Sequence, residues 1–205
     1  MVKHISIGET LIHLTSVDST NLYAAQLIRK EIQDGTVILA DYQTQGKGQG
    51  GNQWLSEAGD NLLFSVILKP AFLKADKQYY ISMAIANALA DFISTLCDNV
   101  AIKWPNDLLV NHKKIAGVLI ENTIMGEYLR TTIAGIGINV NQEKFPAELP
   151  EAVSIRMVTS RHFTLQDLHR PLFGKLSEHL NLVYENRLGI VRTTYLNSLF
   201  GLNEW

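Results

Sequence analysis

The chain has 205 residues, a length that suits one domain or one domain with a small appendage. Apolar residues make up 46% and charged residues 19%, which excludes extensive disorder and allows a buried core. The net charge of −2 argues against a nucleic-acid or membrane-surface binder. The single cysteine, Cys97, cannot form an internal disulfide or a zinc site by itself, which fits a cytoplasmic protein.

The first half of the chain alternates helical and strand patterns around one long loop. In chain order the predicted elements are a helix over 18–32, a strand over 36–40, a loop over 42–61, a strand over 62–68 and a helix over 76–96. Asp18 or Ser19 can cap the first helix, and Gly35 breaks it. The helix over 76–96 is the clearest, because its apolar residues recur at helical spacing.

The second half predicts four strands followed by two helices. The strands cover 100–103, 108–110, 115–121 and 128–140, and the helices cover 165–180 and 190–200. A hairpin turn at 111–114 joins the strands over 108–110 and 115–121. Pro171 kinks the helix over 165–180 or starts its better-formed part. Strands joined by hairpins, with helices grouped between them, predict an α+β fold rather than a doubly wound parallel sheet.

The stretch 43–54 is the most informative of the chain. Four glycines within six positions, from Gly46 to Gly51, let the backbone approach a ligand and offer N–H donors to an anion. Lys47 adds a charge suited to phosphate or carboxylate, and Trp54 adds an aromatic face. A flexible surface loop is the plain alternative. The stretch is neither a Walker loop nor a dinucleotide fingerprint, because no Ser or Thr follows the Gly-Lys pair and Gly51 opens no helix.

Three shorter segments also carry polar groups that suit a ligand. In 103–107, Lys103 stands before a rigid proline turn and could neutralise a carboxylate and a phosphate brought together, or it is an ordinary exposed turn lysine. In 135–141, glycines within a strand mark close approach of a ligand or another backbone, and Asn139 could bind a base or phosphate. In 19–21, the hydroxyls either cap a helix or donate to a small polar ligand.

Taken in order, these segments resemble the biotin protein ligase family. The motifs that carry the resemblance are Ser-Thr-Asn at 19–21, the Gln-led glycine loop at 43–54, KWPND at 103–107, KKIAGVLIE at 113–121 and GIGIN at 135–139. The resemblance implies an α+β domain with a mixed sheet and helices, related to class II aminoacyl-tRNA synthetases and lipoate ligases. It also implies that biotin and Mg²⁺-ATP form biotinyl-5′-AMP, whose biotin passes to a lysine of a biotin carboxyl carrier protein. A homodimer is a further expectation.

The family's site residues carry over onto matching positions of this sequence. In this comparison Lys103 is the catalytic residue, in contact with the biotin carboxylate and the α-phosphate. The implied biotin-binding residues are Ser19, Thr20, Asn21, Gln43, Gly46, Lys47, Gly48 and Gly117. The implied nucleotide-binding residues are Lys47, Gln49, Asn52, Trp54, Asn106 and Asn139. No protein ligand is assigned to Mg²⁺, which phosphate oxygens and water would hold.

Two departures from the family pattern affect these expectations. Lys47, Gln49 and Asn52 stand where the family loop commonly has arginines, so bidentate contacts are lost and weaker retention of the adenylate is expected. Residues 1–205 are expected to be a catalytic domain alone, without an N-terminal helix-turn-helix and without the usual C-terminal SH3-like domain. Two alternatives stay open, namely a lipoate ligase-like acyltransferase of the same fold and a non-catalytic biotin- or nucleotide-binding domain.

Overall fold

A computed structural model describes residues 4–202 as a mixed seven-stranded sheet with helices on both faces. The strands are β1 (Leu11–Leu14), β2 (Thr36–Ala40), β3 (Leu62–Leu68), β4 (Val100–Lys103), β5 (Asp107–Val110), β6 (Lys113–Met125) and β7 (Tyr128–Ile138). The helices are α1 (Thr20–Leu27), α2 (Tyr79–Ser94), α3 (Ile155–Thr159), α4 (Leu165–Tyr184) and α5 (Leu188–Asn197). No helix within 4–202 combines the length and apolar character needed to cross a bilayer.

The strand order across the sheet is β1-β2-β3-β7-β6-β5-β4. β1 and β2 are parallel, and every other neighbouring pair is antiparallel. The predicted α+β class with a mixed sheet is therefore confirmed. The bounds of β2, β3 and β4 agree with the sequence, because each is a compact run with a strong strand pattern.

The two faces of the sheet have different roles. α2, α4 and α5 pack on one face against alternate residues such as Phe64 and Ile136, which gives the main core. α1 covers part of the other face, where Ala24 packs on Ile67 and Ile133. The rest of that second face, called the open face below, presents four residues that are small or polar, namely Ser65, Gly117, Gly135 and Gly137.

Cys97 lies in the main core, surrounded by buried apolar side chains. Burial raises the pKa of its thiol, which disfavours the thiolate that a nucleophilic cysteine needs.

Three elements differ from the sequence-based expectation. α1 ends at Leu27, so the predicted continuation to residue 32 was wrong, and its buried residues are Thr20, Asn21 and Ala24 rather than an apolar stripe. The polar pair faces the sheet because the sheet presents a polar Ser65 there. β1 and α3 were not predicted, since β1 is a half-exposed edge strand and α3 has only five residues.

The turn between β5 and β6 is shorter than the four residues predicted. Asn111 and His112 both have positive φ, 49° and 66°, which is the conformation of a two-residue hairpin turn, and β6 begins directly after them. A bulge follows, because Leu108 pairs with Ala116 while its neighbour pairs with Lys114. Ile115 and Ala116 both enter the main core, so Lys114 lies on the open face instead of pointing inward.

Candidate functional site

A small polar pocket lies on the open face, between the start of α1 and the glycine loop. Its cavity has a volume of about 50 Å³. It is lined by Ser19, Thr20, Asn21, Gln43, Lys47, Gly48, Gln49, Trp54, Asn106, Lys114, Gly117, Val118, Leu119, Gly135, Ile136 and Gly137. All five segments that carry the family resemblance therefore contribute residues to this pocket.

Backbone pairing brings the start of α1 next to Gln43. The N–H of Thr44 donates to the carbonyl of Val17 at 2.9 Å, and the N–H of Gln45 donates to that of Asp18 at 2.8 Å. Gln43 then accepts from the backbone N–H of Thr20 at 2.7 Å through its Oε1. Ser19 occupies the N-cap position, but its side chain makes no capping hydrogen bond, so capping by the Ser19 hydroxyl was a wrong expectation. The helix is capped instead by Gln43, which is distant in sequence.

The side chain of Asn21 is held by other protein groups. Its Nδ2 donates to Glu121 Oε2 at 2.7 Å, and its Oδ1 accepts from the Ser65 hydroxyl at 2.6 Å. Gly135 makes room for this amide, because a Cβ at that position would lie 2.3 Å from Asn21 Oδ1. Asn21 lines the pocket, and its polar atoms are already engaged in fixing the pocket wall.

The glycine loop folds back on itself above the pocket. The N–H of Trp54 donates to the carbonyl of Gly46 at 2.9 Å, and the N–H of Gly48 donates to that of Asn52 at 2.7 Å. Gly46 is required at the base, because a Cβ there would lie 2.4 Å from the carbonyl oxygen of Trp54. At the tip, Gly50 has φ of 66°, a left-handed conformation that favours glycine.

Trp54 lies flat against the open face. A Cβ on Gly137 would be 2.4 Å from the indole, and one on Gly117 would be 3.0 Å from it. The glycines of segment 135–141 were predicted to mark a close approach by a ligand or another backbone, and here a side chain of the same chain approaches them. The indole Nε1 is buried without a hydrogen-bond partner among residues 4–202.

Three lysines lie at different distances from the pocket. Lys114 lines it, forms an ion pair of 2.7 Å with Asp107 Oδ1, and has its Nζ 5.8 Å from the centre of the Trp54 ring. Lys47 also lines it and has no ion pair within the described part of the chain. Lys103 is exposed at the end of β4, in register with Asp107, and lines neither this pocket nor the one next to it.

A second cavity of about 220 Å³, the adjacent pocket, shares Trp54 and Lys114 with the polar pocket. It is lined by Gln53, Trp54, Leu55, Lys114, Asn139, Phe145, Glu148, Leu149, Pro150, Glu151 and Ala152. Asn139 is buried here and donates from Nδ2 to the carbonyl of Val153 at 3.1 Å. Its Oδ1 has no partner within residues 4–202, so an acceptor is left unpaired beside the cavity.

The remaining predicted residues fall into two groups. Gln49 and Asn106 line the polar pocket, and the Asn106 amide also donates to the carbonyl of Val118 at 3.0 Å. Gly46 is buried beneath the loop, whereas Asn52 is exposed and lines neither cavity. Lys114 was not among the predicted site residues, and its only sequence signal was its place in the KKIAGVLIE motif, where it was taken for a turn residue.

Comparison with known proteins identifies a protein family that matches this chain. Residues 13–139 match the model of the biotin/lipoate A/B protein ligase family. The chain belongs to this family. A bifunctional ligase/repressor BirA from Bacillus spizizenii is 36% identical over 148 residues, which are 71% of this chain and 45% of that protein. A biotin–[acetyl-CoA-carboxylase] ligase from Paracoccus denitrificans is 35% identical over 62% of this chain and 53% of its own length.

The likeness extends to solved structures. The biotin protein ligase from Aquifex aeolicus, in complex with biotin and ATP, superposes with a TM-score of 0.81 at 27% identity, over 94% of this chain and 79% of that one. The chain spans about half the length of these two sequence relatives but most of the Aquifex aeolicus structure.

Proposed function

We propose that this family member is an ATP-dependent biotin protein ligase that forms biotinyl-5′-AMP and passes biotin to a lysine of a biotin carboxyl carrier protein. The observation that carries the proposal is the pair of pockets that share Trp54 and Lys114, one offering hydroxyl and amide side chains beside two lysines and the other an aromatic ring and an unpaired amide oxygen. The names of the sequence relatives and the ligands of the Aquifex aeolicus structure point to the same reaction.

The polar pocket is assigned to the ureido ring of biotin. That ring is polar and uncharged, so the hydroxyls of Ser19 and Thr20 and the amide of Gln43 suit it. The dithiolane ring of lipoate has no N–H or C=O for these groups to pair with. This difference favours biotin over the lipoate ligase alternative.

The adjacent pocket is assigned to the adenosine part of ATP. Asn139 Oδ1 offers an acceptor to an adenine amine, and the Trp54 ring offers an apolar face. Gln49 and Lys47 belong to the glycine loop, line the polar pocket and are assigned to the phosphates. Because neither residue is arginine, we also propose that the adenylate is retained less tightly than by an arginine-rich loop.

Adenylate formation brings together two anions, the biotin carboxylate and the α-phosphate. A fixed cation between them stabilises the transition state more than it stabilises either reactant alone. Lys114 is placed for this role, since it lies at the junction of the pockets and Asp107 holds its ammonium. Lys103, the sequence-based candidate, is kept as the alternative, with its charge acting from the exposed end of β4.

Mg²⁺ enters this proposal with ATP. Within residues 4–202 no three His, Cys, Asp or Glu side chains are grouped so as to hold a metal ion. Phosphate oxygens and water are assigned as its ligands because Mg²⁺ usually enters such sites bound to the phosphates of its nucleotide, and no protein ligand is named. The ion supplies charge neutralisation on the phosphates.

In the second step the neutral amine of the carrier protein's lysine attacks the carbonyl of the mixed anhydride; an amide bond forms, the acyl–phosphate bond breaks, AMP leaves, and the amine gives up a proton. We propose the cytoplasm as the location, since the reaction consumes ATP. The homodimer expected from the family resemblance stays a prediction, which sedimentation of the purified protein would test.

Pyrophosphate release measured with ATP, Mg²⁺ and either biotin or lipoic acid tests the proposed activity. Release that depends on biotin and not on lipoic acid is the expected result. Release with lipoic acid alone would support the acyltransferase alternative. Biotin binding without any release would support a non-catalytic binding domain.

A further inference from the structure

Two lysines line the polar pocket, and they differ in how their amines are held. Lys114 forms an ion pair with Asp107 Oδ1 at 2.7 Å. Lys47 is exposed and has no ion pair within the described part of the chain. It lies between Gly46 and Gly48, whose backbones are conformationally permissive. The amine of Lys47 is therefore the less restrained of the two.

The proposed reaction forms an acyl donor at this pocket. Biotinyl-5′-AMP is a mixed anhydride, and its carbonyl carbon reacts with a neutral amine. An ammonium paired with a carboxylate has no lone pair with which to attack, which disfavours Lys114 as a nucleophile. Lys47 is assigned to the phosphates of ATP, and it loses the β- and γ-phosphates when pyrophosphate leaves. Its amine then remains beside the anhydride.

We propose that Lys47 is a site of self-biotinylation. The neutral Nζ attacks the carbonyl carbon of biotinyl-5′-AMP, an amide bond forms, the acyl–phosphate bond breaks and AMP leaves, while the amine gives up a proton to water. The inference rests on the proposed function, which supplies the adenylate. Arginine, which the family loop commonly carries at this position, does not react in this way because its guanidinium stays protonated.

Acylation changes what Lys47 contributes to the pocket. It converts a cation into a neutral amide that carries a bulky group, so the modified protein loses one of the charges assigned to the phosphates. We therefore expect pyrophosphate release to slow as Lys47 becomes modified. A carrier lysine consumes the same adenylate, so added carrier protein should reduce the modification.

Incubation of the protein with biotin, ATP and Mg²⁺, in the absence of a carrier, tests the proposal. Intact-mass spectrometry is expected to show one added biotinyl group, and peptide mapping to place it on Lys47. Lys113 and Lys144 are internal controls, since both are exposed and line neither the polar nor the adjacent pocket. We expect at least about tenfold more biotin on Lys47 than on either control, because its amine is close to the anhydride. Equal labelling of the three lysines would overturn the inference.

Excess ethanolamine separates attack at the pocket from attack on adenylate that has left the protein. The added amine consumes released biotinyl-5′-AMP, so it should suppress labelling of Lys113 and Lys144 and leave most of the labelling of Lys47. A loss of Lys47 labelling in proportion to that of the controls would show that released adenylate is the acyl donor and would contradict the proposal.

Lys47→Arg keeps the positive charge and removes the amine. Synthetic biotinyl-5′-AMP is used with this variant, so that the result does not depend on how well the variant makes its own adenylate. We expect total labelling to fall about tenfold relative to the wild type, with no gain at Lys114. Lys113→Arg is the matched control and should be labelled like the wild type. Equal total labelling of Lys47→Arg and the wild type would refute the assignment.

Pyrophosphate release by the wild type distinguishes failure of this inference from failure of the proposed function. Biotin-dependent release with Lys47 left unmodified would show that the inference is wrong while the proposed function stands. Absence of release, with no labelling from synthetic biotinyl-5′-AMP, would reject both.

Discussion

Lys114 lies where the two pockets meet, and its neighbours determine the position of its ammonium group. Asp107 holds the ammonium at 2.7 Å, and the bulge in β6 keeps the side chain on the open face. A lysine held in this way is preorganised, so in the proposed reaction it would need little rearrangement when the two anions approach each other.

Lys114→Met keeps most of the side-chain stem and removes the charge. We expect pyrophosphate release to fall about 10²–10³-fold, comparable to the loss of one preorganised electrostatic donor. Lys103→Met should have the smaller effect, since Lys103 lines neither pocket. Melting curves control for the unpaired Asp107. Near-normal release from folded Lys114→Met, with a large loss in Lys103→Met, would return the role to Lys103.

Gln43 lines the polar pocket and caps α1, and a single substitution tests both roles by two different measurements. Gln43→Ala should weaken biotin binding by about 1–3 kcal/mol, the usual cost of an unpaired buried polar group. It should also destabilise the protein by about 1 kcal/mol, because the N–H of Thr20 loses its cap. Calorimetry measures the first effect and denaturant unfolding the second. Unchanged biotin affinity would remove Gln43 from the binding site.

At the scale of elements, the glycine loop must move for the site to work. The polar pocket of about 50 Å³ holds only a few water molecules, so the proposed binding of biotin requires displacement of the loop or of Trp54. The loop has many glycines and few apolar anchors, and its backbone hydrogen bonds are therefore expected to open easily.

Hydrogen exchange of residues 46–54 measures this motion. We expect fast exchange of these amides in the free protein, and protection when biotin and ATP are both present. Equal exchange rates with and without ligands would contradict a gating role for the loop.

The glycines of the open face predict a second element-scale result. Gly137→Ala in β7 would place a Cβ 2.4 Å from the Trp54 indole, so the ring must leave the sheet and the junction of the pockets changes shape. We expect a marked loss of ATP and biotin binding, measured by calorimetry. Gly174→Ala in α4 is the control, because open space surrounds it and alanine favours a helix by about 1 kcal/mol. Its binding should be unchanged and its stability slightly increased.

Sequence patterns predicted the elements whose packing is regular. The runs that became β2 and β3 are apolar and β-branched, and the periodicity of α2 survives in its buried face. β1 gave no such signal, because its Leu-Ile-His-Leu alternates between exposed and half-buried residues at the sheet edge. The length of α1 was overestimated because the apolar positions from Ile28 onward lie beyond the helix and still pack beside its small core.

The site was predicted in part for similar reasons. Ser19, Thr20, Gln43 and the glycine loop converge as the motifs indicated, and the family model matches this region. Lys114 was missed because a bulge reverses the inward and outward alternation of a strand, and no composition pattern announces one. The hydrogen bonds that Ser65 and Glu121 make with Thr20 and Asn21 join residues far apart in sequence, which only the folded chain reveals.

At the scale of the whole molecule, the residues of the main core and the residues of the candidate site lie on opposite faces of one sheet. The main core under α2, α4 and α5 is apolar and continuous, whereas the open face is built from glycines and polar side chains. Substitutions on the open face are therefore expected to change activity more than folding, which makes the variants described above interpretable.

Transfer of biotin to a carrier tests the proposed ligase most directly. The protein is incubated with ATP, Mg²⁺, biotin and a purified biotin carboxyl carrier domain, and the carrier is then weighed by intact-mass spectrometry. We predict the addition of one biotinyl group to a single lysine, dependent on ATP and lost in Lys114→Met. A carrier that stays unmodified while the protein binds biotin, or one that accepts lipoate instead, would contradict the assignment.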